Sequence, residues 1–396
     1  MRRIFFAHTG FGFHSLFNSI LEYPPQGYEF IFPEKPTGKK PQLSKKIPTA
    51  VPLKKNSLLG LLRCQFRWYT EDVFMETSIE ADLIFSANRL IYSKKRPWVV
   101  MIEHVGDLCP IMYDIKHIGL YRSFIEKVLS SEWCKKIMPY LDNEKMTLFK
   151  SLNCEGFKDK IEVVNLAVPP KIFEKEYGKD KISLLFLGTA HKGNIPKSFE
   201  ERGGLEVLEA FKVLNARYEN LELVIRSHVP PYIRNKYLQV LAGKNVKILE
   251  QVLSMEERDH IMQNADIFLF PGHITPALTI LDAMSYELPV VATDWRGNCE
   301  MVKDGETGFL IRPPFGLNPD VLTRELVDMI SARRPDMYGV KELIEKTSVL
   351  IVDERLRRRM GIAGRREIEI GKFSIKRRNE KLKKIFDEAI GLEAIV

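Results

Sequence analysis

Between residues 188 and 298 three short segments gather glycines, cations and helix-opening residues. The first starts at Gly188 and Thr189, passes His191, Lys192 and Lys197, and ends on Arg202-Gly203-Gly204 where a helical pattern begins. Backbone N–H groups at a helix start lack partners inside the helix and carry partial positive charge, so an arginine beside flexible glycines suits the clamping of a diphosphate. The competing reading is a turn shaped by Gly203 and Gly204, with Arg202 a solvated charge. The second segment runs Pro271-Gly272-His273-Ile274-Thr275-Pro276-Ala277-Leu278 and continues to Asp282. Thr275 suits an N-cap and Pro276 the first helical position, which predicts a helix ending near Tyr286 with Asp282 two turns in. A carboxylate at that depth reaches a ribose hydroxyl while the amides around Ala277 and Leu278 face phosphate, the division of labour a nucleotide requires. The third segment, Asp294 to Asn298, suits closure over the same ligand.

Such loops need a frame. From residue 183 onward, apolar runs at Ser183 to Leu187, Glu222 to Arg226, Val246 to Leu249, Ile267 to Phe270, Pro289 to Thr293 and Phe309 to Ile311 read as buried strands. Helical patterns at Gly204 to Arg217 and Met255 to Gln263 separate them, predicting a parallel, doubly wound α/β sheet. Ligands of such sheets sit outside the carboxyl ends of the strands, where all three segments fall. The first half repeats the theme with strands expected at Ile4 to Ala7, Glu29 to Phe32, Asp82 to Ser86, Trp98 to Ile102, Ile137 to Tyr140 and Glu162 to Asn165. Leu166-Ala167-Val168-Pro169-Pro170 places a linker between the two lobes, since adjacent prolines forbid helix and sheet interior alike.

The length, 396 residues, also argues for at least two domains. Five widely spaced cysteines without a C-x-x-C pair signal neither a disulfide framework nor a zinc site, and point to a reducing cytoplasm. No apolar run reaches the roughly 18 residues that span a bilayer, so the expectation is a soluble or membrane-peripheral protein. Lys39, Lys40, Lys45, Lys46, Lys54, Lys55, Arg63 and Arg67 supply eight charges with no acid between positions 39 and 68, as large as the net charge of the whole chain, +8. Residues 57–69 mix leucines, aromatics and arginines and read either as a core helix with solvated arginines or as an interfacial helix on anionic lipid. Cations confined to one segment do not suit a nucleic-acid-binding face, and no nucleic-acid partner is expected.

The second half resembles the donor-binding half of the family-4 (group 1) retaining glycosyltransferases of GT-B fold. Arg202-Gly203-Gly204-Leu205-Glu206-Val207-Leu208-Glu209-Ala210-Phe211 is similar to the family's Lys-Gly helix opening, and Ala265 to Pro271 to the strand before its acidic motif. Leu281-Asp282-Ala283-Met284, Leu288 to Asp294, and Asp304-Gly305-Glu306-Thr307-Gly308-Phe309-Leu310 resemble the family's segments on the C-terminal side of that motif. Ile102-Glu103-His104-Val105-Gly106-Asp107 resembles the segment bearing the family's active-site histidine, against the plainer reading of His104 as a histidine satisfying buried hydrogen bonds. Phe373-Ser374 opens a helix to Ile390 like the one that crosses back onto the N-terminal lobe in that fold.

The resemblance implies two Rossmann-like domains facing a cleft: an acceptor-binding domain at 1–168, a donor-binding domain at 169–372 and a crossover helix at 373–396. It implies a retaining hexosyltransferase using a UDP- or GDP-linked sugar as co-substrate, with no metal required and a glycan, lipid-linked or small-molecule acceptor. Residues 39–69 would add a peripheral contact with anionic membrane. Arg202 and His104 take catalytic roles; Gly188, Thr189, Lys192, Gly203, Arg226, His273, Thr275, Ala277, Leu278 and Asp282 bind the donor. Two departures stand out. The family's first acidic residue falls on Ile274, which cannot hydrogen-bond a sugar hydroxyl, and its second is Asp282. His273 either takes over the sugar contact or has no function. The altered motif leaves a catalytically impaired nucleotide- or glycan-binding protein as the alternative, and residues 39–68 an anionic-polymer binder as a third.

Overall fold

The computed structural model describes residues 1–8, 17–32, 80–109, 118–189, 198–313, 315 and 334–392. The chain divides into two compact units: Met1–Asn165 together with Asn379–Val396, and Leu166–Arg378.

In the first unit, β1 (Arg2–His8), β2 (Tyr28–Ile31), β3 (Leu83–Ala87), β4 (Trp98–Ile102) and β5 (Cys134–Pro139) form one sheet in the order β2-β1-β3-β4-β5. Every pairing is parallel. β3 and β4 are buried along their whole length, which explains their continuous apolar runs: a parallel sheet is covered on both faces. Helices α1 (Ile118–Ser130) and α2 (Asp142–Ser151) flank β5 in sequence, and Tyr121, Ile125, Val128, Leu129 and Leu148 pack with Trp98, Val100 and Ile137 in one core cluster.

The second unit has a six-stranded sheet in the order β11-β10-β9-β6-β7-β8, again wholly parallel. Its strands are β6 (Ile182–Leu187), β7 (Leu221–Arg226), β8 (Val246–Leu249), β9 (Ile267–Phe270), β10 (Val290–Thr293) and β11 (Gly308–Ile311). Its longer helices among the described residues are α3 (Gly204–Arg217), α4 (Met255–Asn264), α5 (Ala277–Ser285), α6 (Met337–Val352) and α7 (Glu354–Glu369). The α3 face carrying Leu205, Leu208, Phe211 and Leu214 packs into a cluster with Leu184, Phe186, Leu223 and Ile225 of the sheet and Val340 and Leu343 of α6. The chain runs outward from β6 to β8 and then returns to lay β9 on the other side of β6. The order therefore reverses between β6 and β9, where an open α/β sheet leaves a crevice at its carboxyl edge.

Helix α8 (Ile375–Ala389) returns to the first unit. Its Phe386 ring packs against Tyr28, Phe30 and Phe85 at 5.2, 6.4 and 6.1 Å between centroids. The Tyr28 hydroxyl donates to Asp387, while Lys136 and Lys381 pair with Glu388 and Glu162 at 3.4 and 3.6 Å.

Two expectations are corrected. Glu162 to Asn165 is not a strand: Ile161 makes an isolated bridge to Ile137, and the amides of Glu162 and Val164 donate to the carbonyls of Ile137 and Pro139. The returning bond would have to come from the nitrogen of Pro139, which carries no hydrogen, so the ladder stays one-sided. Thr275 is not an N-cap either. Pro276, with φ −88° and ψ 62°, holds that position, and its carbonyl accepts from the amides of Thr279 and Ile280, so the helix starts one residue later.

Candidate functional site

The crevice at the carboxyl edge of the second sheet is built by close backbone approach. Gly188, just past β6, donates its amide to the Arg226 carbonyl at the end of β7 at 2.9 Å, and a Cβ there would lie 2.1 Å from the Ser227 hydroxyl. Thr189 accepts from the His228 amide through its carbonyl and from the Ser198 hydroxyl through Oγ1, at 2.9 and 2.6 Å. On the other side of the switch point, Gly203 has φ +85°, and a Cβ on it would lie 2.5 Å from the carbonyl carbon and oxygen of Pro271. Only glycine fits that position. The His273 amide donates to the Glu201 carbonyl at 2.7 Å, so the turn at 201–204 is locked onto the loop after β9.

Positive charge gathers at this crevice with little direct pairing. Burial lowers the affinity of Arg202 for its proton, and the neighbouring guanidinium of Arg226 lowers it further, against the pull of Glu201. Arg226 is depressed in the same way, by burial and then by Arg258 on α4. Among the described residues, neither Arg202 nor Arg226 has a hydrogen-bonded or ion-paired carboxylate. Arg258 does: Asp282 lies 3.3 Å away. Burial pushes the Asp282 carboxyl up, and Arg258 and Lys171 pull it back down. The arginines therefore form a run, Arg202 beside Arg226 and Arg226 beside Arg258, with Asp282 paired to the last, an arrangement suited to a dianion.

The loop after β9 adds backbone donors. Because Pro276 is the N-cap, Ala277 and Leu278 are the first two helical residues, and among the described residues their amides find no acceptor. Those are the donors that make a helix N-terminus attractive to phosphate. The Thr275 hydroxyl is buried without a partner. His273 is 4% exposed, its Nε2 is 3.8 Å from Glu206 Oε1, its ring lies edge-on to Phe315, and its Nδ1 is unpartnered. Ile274 is half-buried and offers only its carbonyl, which accepts from the Asn298 amide group at 3.4 Å. In the third segment Trp295 is fully buried and Asn298 also donates to Thr293 Oγ1 at 3.3 Å, while Thr293 donates to the Gly272 carbonyl, so the contacts to Ile274 and Gly272 tie this loop to the one after β9.

His104 belongs to the first unit, in the loop after β4. It is the N-cap of a short 3-10 helix, Val105–Leu108: its Nδ1 accepts from the Gly106 amide at 3.0 Å and its own amide donates to Asp107 at 2.8 Å. In the neutral ring that geometry puts the proton on Nε2. Asp107 also accepts from the Glu103 amide at 3.2 Å, and burial, with Glu103 beside it, raises its carboxyl well above the usual range. Glu103 is tied in turn to Asn88 at the end of β3 by two hydrogen bonds, at 2.9 and 3.2 Å.

Gly188, Thr189, Arg202, Gly203, Arg226, His273, Thr275, Ala277, Leu278 and Asp282 lie in the loops after β6 and β9, at the last position of β7 or on α5. Lys192, with His191 and Lys197, and the basic segment 39–69 lie outside the described residues. Arg258 escaped the sequence reading. Its signal is the Ser254-Met255-Glu256-Glu257 capping box, which fixes the phase of α4 and hence the side on which residue 258 emerges.

Two wholly parallel α/β units, with a C-terminal helix returning to the first, form the GT-B fold. Sucrose-phosphate synthase from Thermosynechococcus elongatus aligns over 99% of this chain and 100% of its own with a TM-score of 0.62 at 13% identity. A glycosyltransferase from Rickettsia africae aligns over 99% and 100% with 0.59 at 14%, and Anabaena HepE in complex with UDP-glucose over 98% and 100% with 0.58 at 12%. Within the second unit, residues 183–331 match the family Glycosyl transferases group 1. The capsular polysaccharide biosynthesis glycosyltransferase CapM of Staphylococcus aureus is 24% identical over 256 residues, 58% of this chain, and the match spans 60% of that relative's length.

Proposed function

We propose that the protein is a retaining, metal-independent glycosyltransferase that moves a hexose from a nucleotide-sugar donor, UDP- or GDP-linked, to a glycan, lipid-linked or small-molecule acceptor. The observation that carries this reading is the run of guanidiniums from Arg202 through Arg226 to Arg258, with Asp282 as their one paired carboxylate. When the bond between the anomeric carbon and the diphosphate oxygen breaks, negative charge grows on the leaving nucleoside diphosphate. Arg202 and Arg226, already partly desolvated, meet that charge together with the amides of Ala277 and Leu278. Asp282 holds the ribose, exchanging part of its contact with Arg258 for a sugar hydroxyl. The acceptor hydroxyl attacks the anomeric carbon from the face the leaving group vacates, and its proton passes to a phosphate oxygen. His104, its ring oriented by the Gly106 amide on Nδ1, is assigned to contact the sugar or the acceptor. The S. aureus relative makes capsular polysaccharide and the Anabaena structure holds UDP-glucose, which supports a nucleotide-sugar donor and a glycan acceptor.

Thermal unfolding with UDP, GDP and ADP tests the reading. A ligand selective for the native state stabilises by about 2.7 kcal/mol at a hundred times its Kd. One of the three nucleotides is expected to raise the Tm clearly and the matching nucleoside far less, because the diphosphate engages the arginines. Identical melting curves with all three at millimolar concentration would remove the donor site.

A further inference from the structure

Helix α7 is fixed from below. Arg357, Met360, Gly361, Gly364 and Ile368 are buried, and Gly361 approaches the Glu287 carbonyl so closely that a Cβ would sit 2.2 Å from its oxygen. The opposite face is unlike an ordinary solvated helix. At 3.6 residues per turn, Arg355, Arg359, Ile362 and Arg366 fall within about 60° of one another, and the C-cap residue Ile370 follows on the same side. All are exposed, with Ile362 at 47% and Ile370 at 58%. Among the described residues none of the three arginines has a carboxylate partner, and the helix's own acids are engaged elsewhere. Glu354 lies 4.0 Å from Arg357, Glu367 takes Lys303 at 2.7 Å and Glu369 takes Arg365 at 2.7 Å.

From this face we infer that α7 docks the protein on an anionic lipid bilayer, the isoleucines entering the acyl boundary and Arg355, Arg359 and Arg366 meeting lipid phosphates. Charge alone would suit any polyanion. Two exposed isoleucines among three unpaired guanidiniums, with no acid in the stripe, are the pattern of an interfacial helix, in which apolar burial and attraction to anionic headgroups act together. The surface lies within the second unit and uses none of the residues assigned to the diphosphate crevice, so it holds whether or not the donor reading does.

Flotation of the full chain with vesicles of phosphatidylcholine, with and without 30% phosphatidylglycerol, decides the matter. Wild type is expected to bind the anionic vesicles and scarcely the neutral ones. Replacing Arg355, Arg359 and Arg366 together by glutamine should weaken partitioning on the order of 100-fold, from about 1 kcal/mol per cation near the surface. Ile362→Ser with Ile370→Ser should weaken it on the order of tenfold or more through lost apolar burial. All five positions are exposed, so unchanged melting temperatures will show intact folding. Failure of wild type to bind, or equal binding by the triple-glutamine variant, overturns the proposal. Full binding by the serine variant overturns it too, by reducing the face to a general polyanion contact.

Discussion

Arg202 gains little from its surroundings in the resting protein: burial and a second guanidinium work against its charge, and Glu201 attracts it without a direct ion pair. A group so placed serves a ligand better than it serves the fold, and the two roles separate by experiment. Arg202→Ala is expected to lower kcat on the order of 10²-fold, the scale on which a preorganised charge stabiliser acts. The unliganded Tm should change little, because burial and repulsion by Arg226 offset the attraction of Glu201. Initial rates with the nucleotide sugar selected by thermal screening, alongside melting curves, check both halves; an unchanged kcat rejects the role. Cations and glycines at a helix start made Arg202 and Gly203 legible in the sequence. Arg258 was not, because a cation on a polar helix looks solvated until the sheet order brings α4 beside the crevice. The burial of His273 against Glu206 was equally hidden, since it depends on Phe315 and Asp336, far along the chain.

At the level of elements, the strands were readable where burial on both faces made them continuously apolar, as in β4 and β9. The failures were local chemistry. Pro139 removes the hydrogen a sixth strand would have needed, and Pro276 adopts a ψ that no first helical residue has. The turn into α3 offers a sharper test of how backbone shape sets the crevice. Gly203 and Gly305 both have positive φ, +85° and +76°, but only Gly203 has neighbours where a Cβ would go. Gly305→Ala is expected to cost about 1–2 kcal/mol, the left-handed penalty alone. Gly203→Ala bears that penalty plus a clash with the Pro271 backbone, and should shift the loop that leads to the Ala277 and Leu278 amides. Urea unfolding should therefore rank Gly203→Ala well below Gly305→Ala, and only the former should lose nucleotide-induced stabilisation. Equal stabilities for the two variants would mean the approach to Pro271 carries no strain.

At the level of the whole molecule, the chain leaves the first unit at Asn165 and rejoins it at Asn379, so one folding unit is assembled from two distant stretches of sequence. Periodicity cannot reveal that return: α8 reads as one more amphipathic helix, and its partners Tyr28, Phe30 and Phe85 lie some three hundred residues earlier. The physical consequence is that the far end of the chain stabilises its beginning. Leu382, Ile385 and Phe386 are fully buried, and at about 1.5–3 kcal/mol each their removal forfeits roughly 5–9 kcal/mol, comparable to the whole stability of a typical domain. Deleting residues 375–396 should then unfold the first unit while sparing the second, which retains every strand of its sheet and the arginine crevice. Hydrogen exchange followed by peptide mass spectrometry is the direct check: peptides covering β1 to β5 should lose protection, and those covering β6 to β11 should keep it and still slow further with the stabilising nucleotide. Persistent protection across β1 to β5 would show that the helix is an accessory to the first sheet and not part of its core.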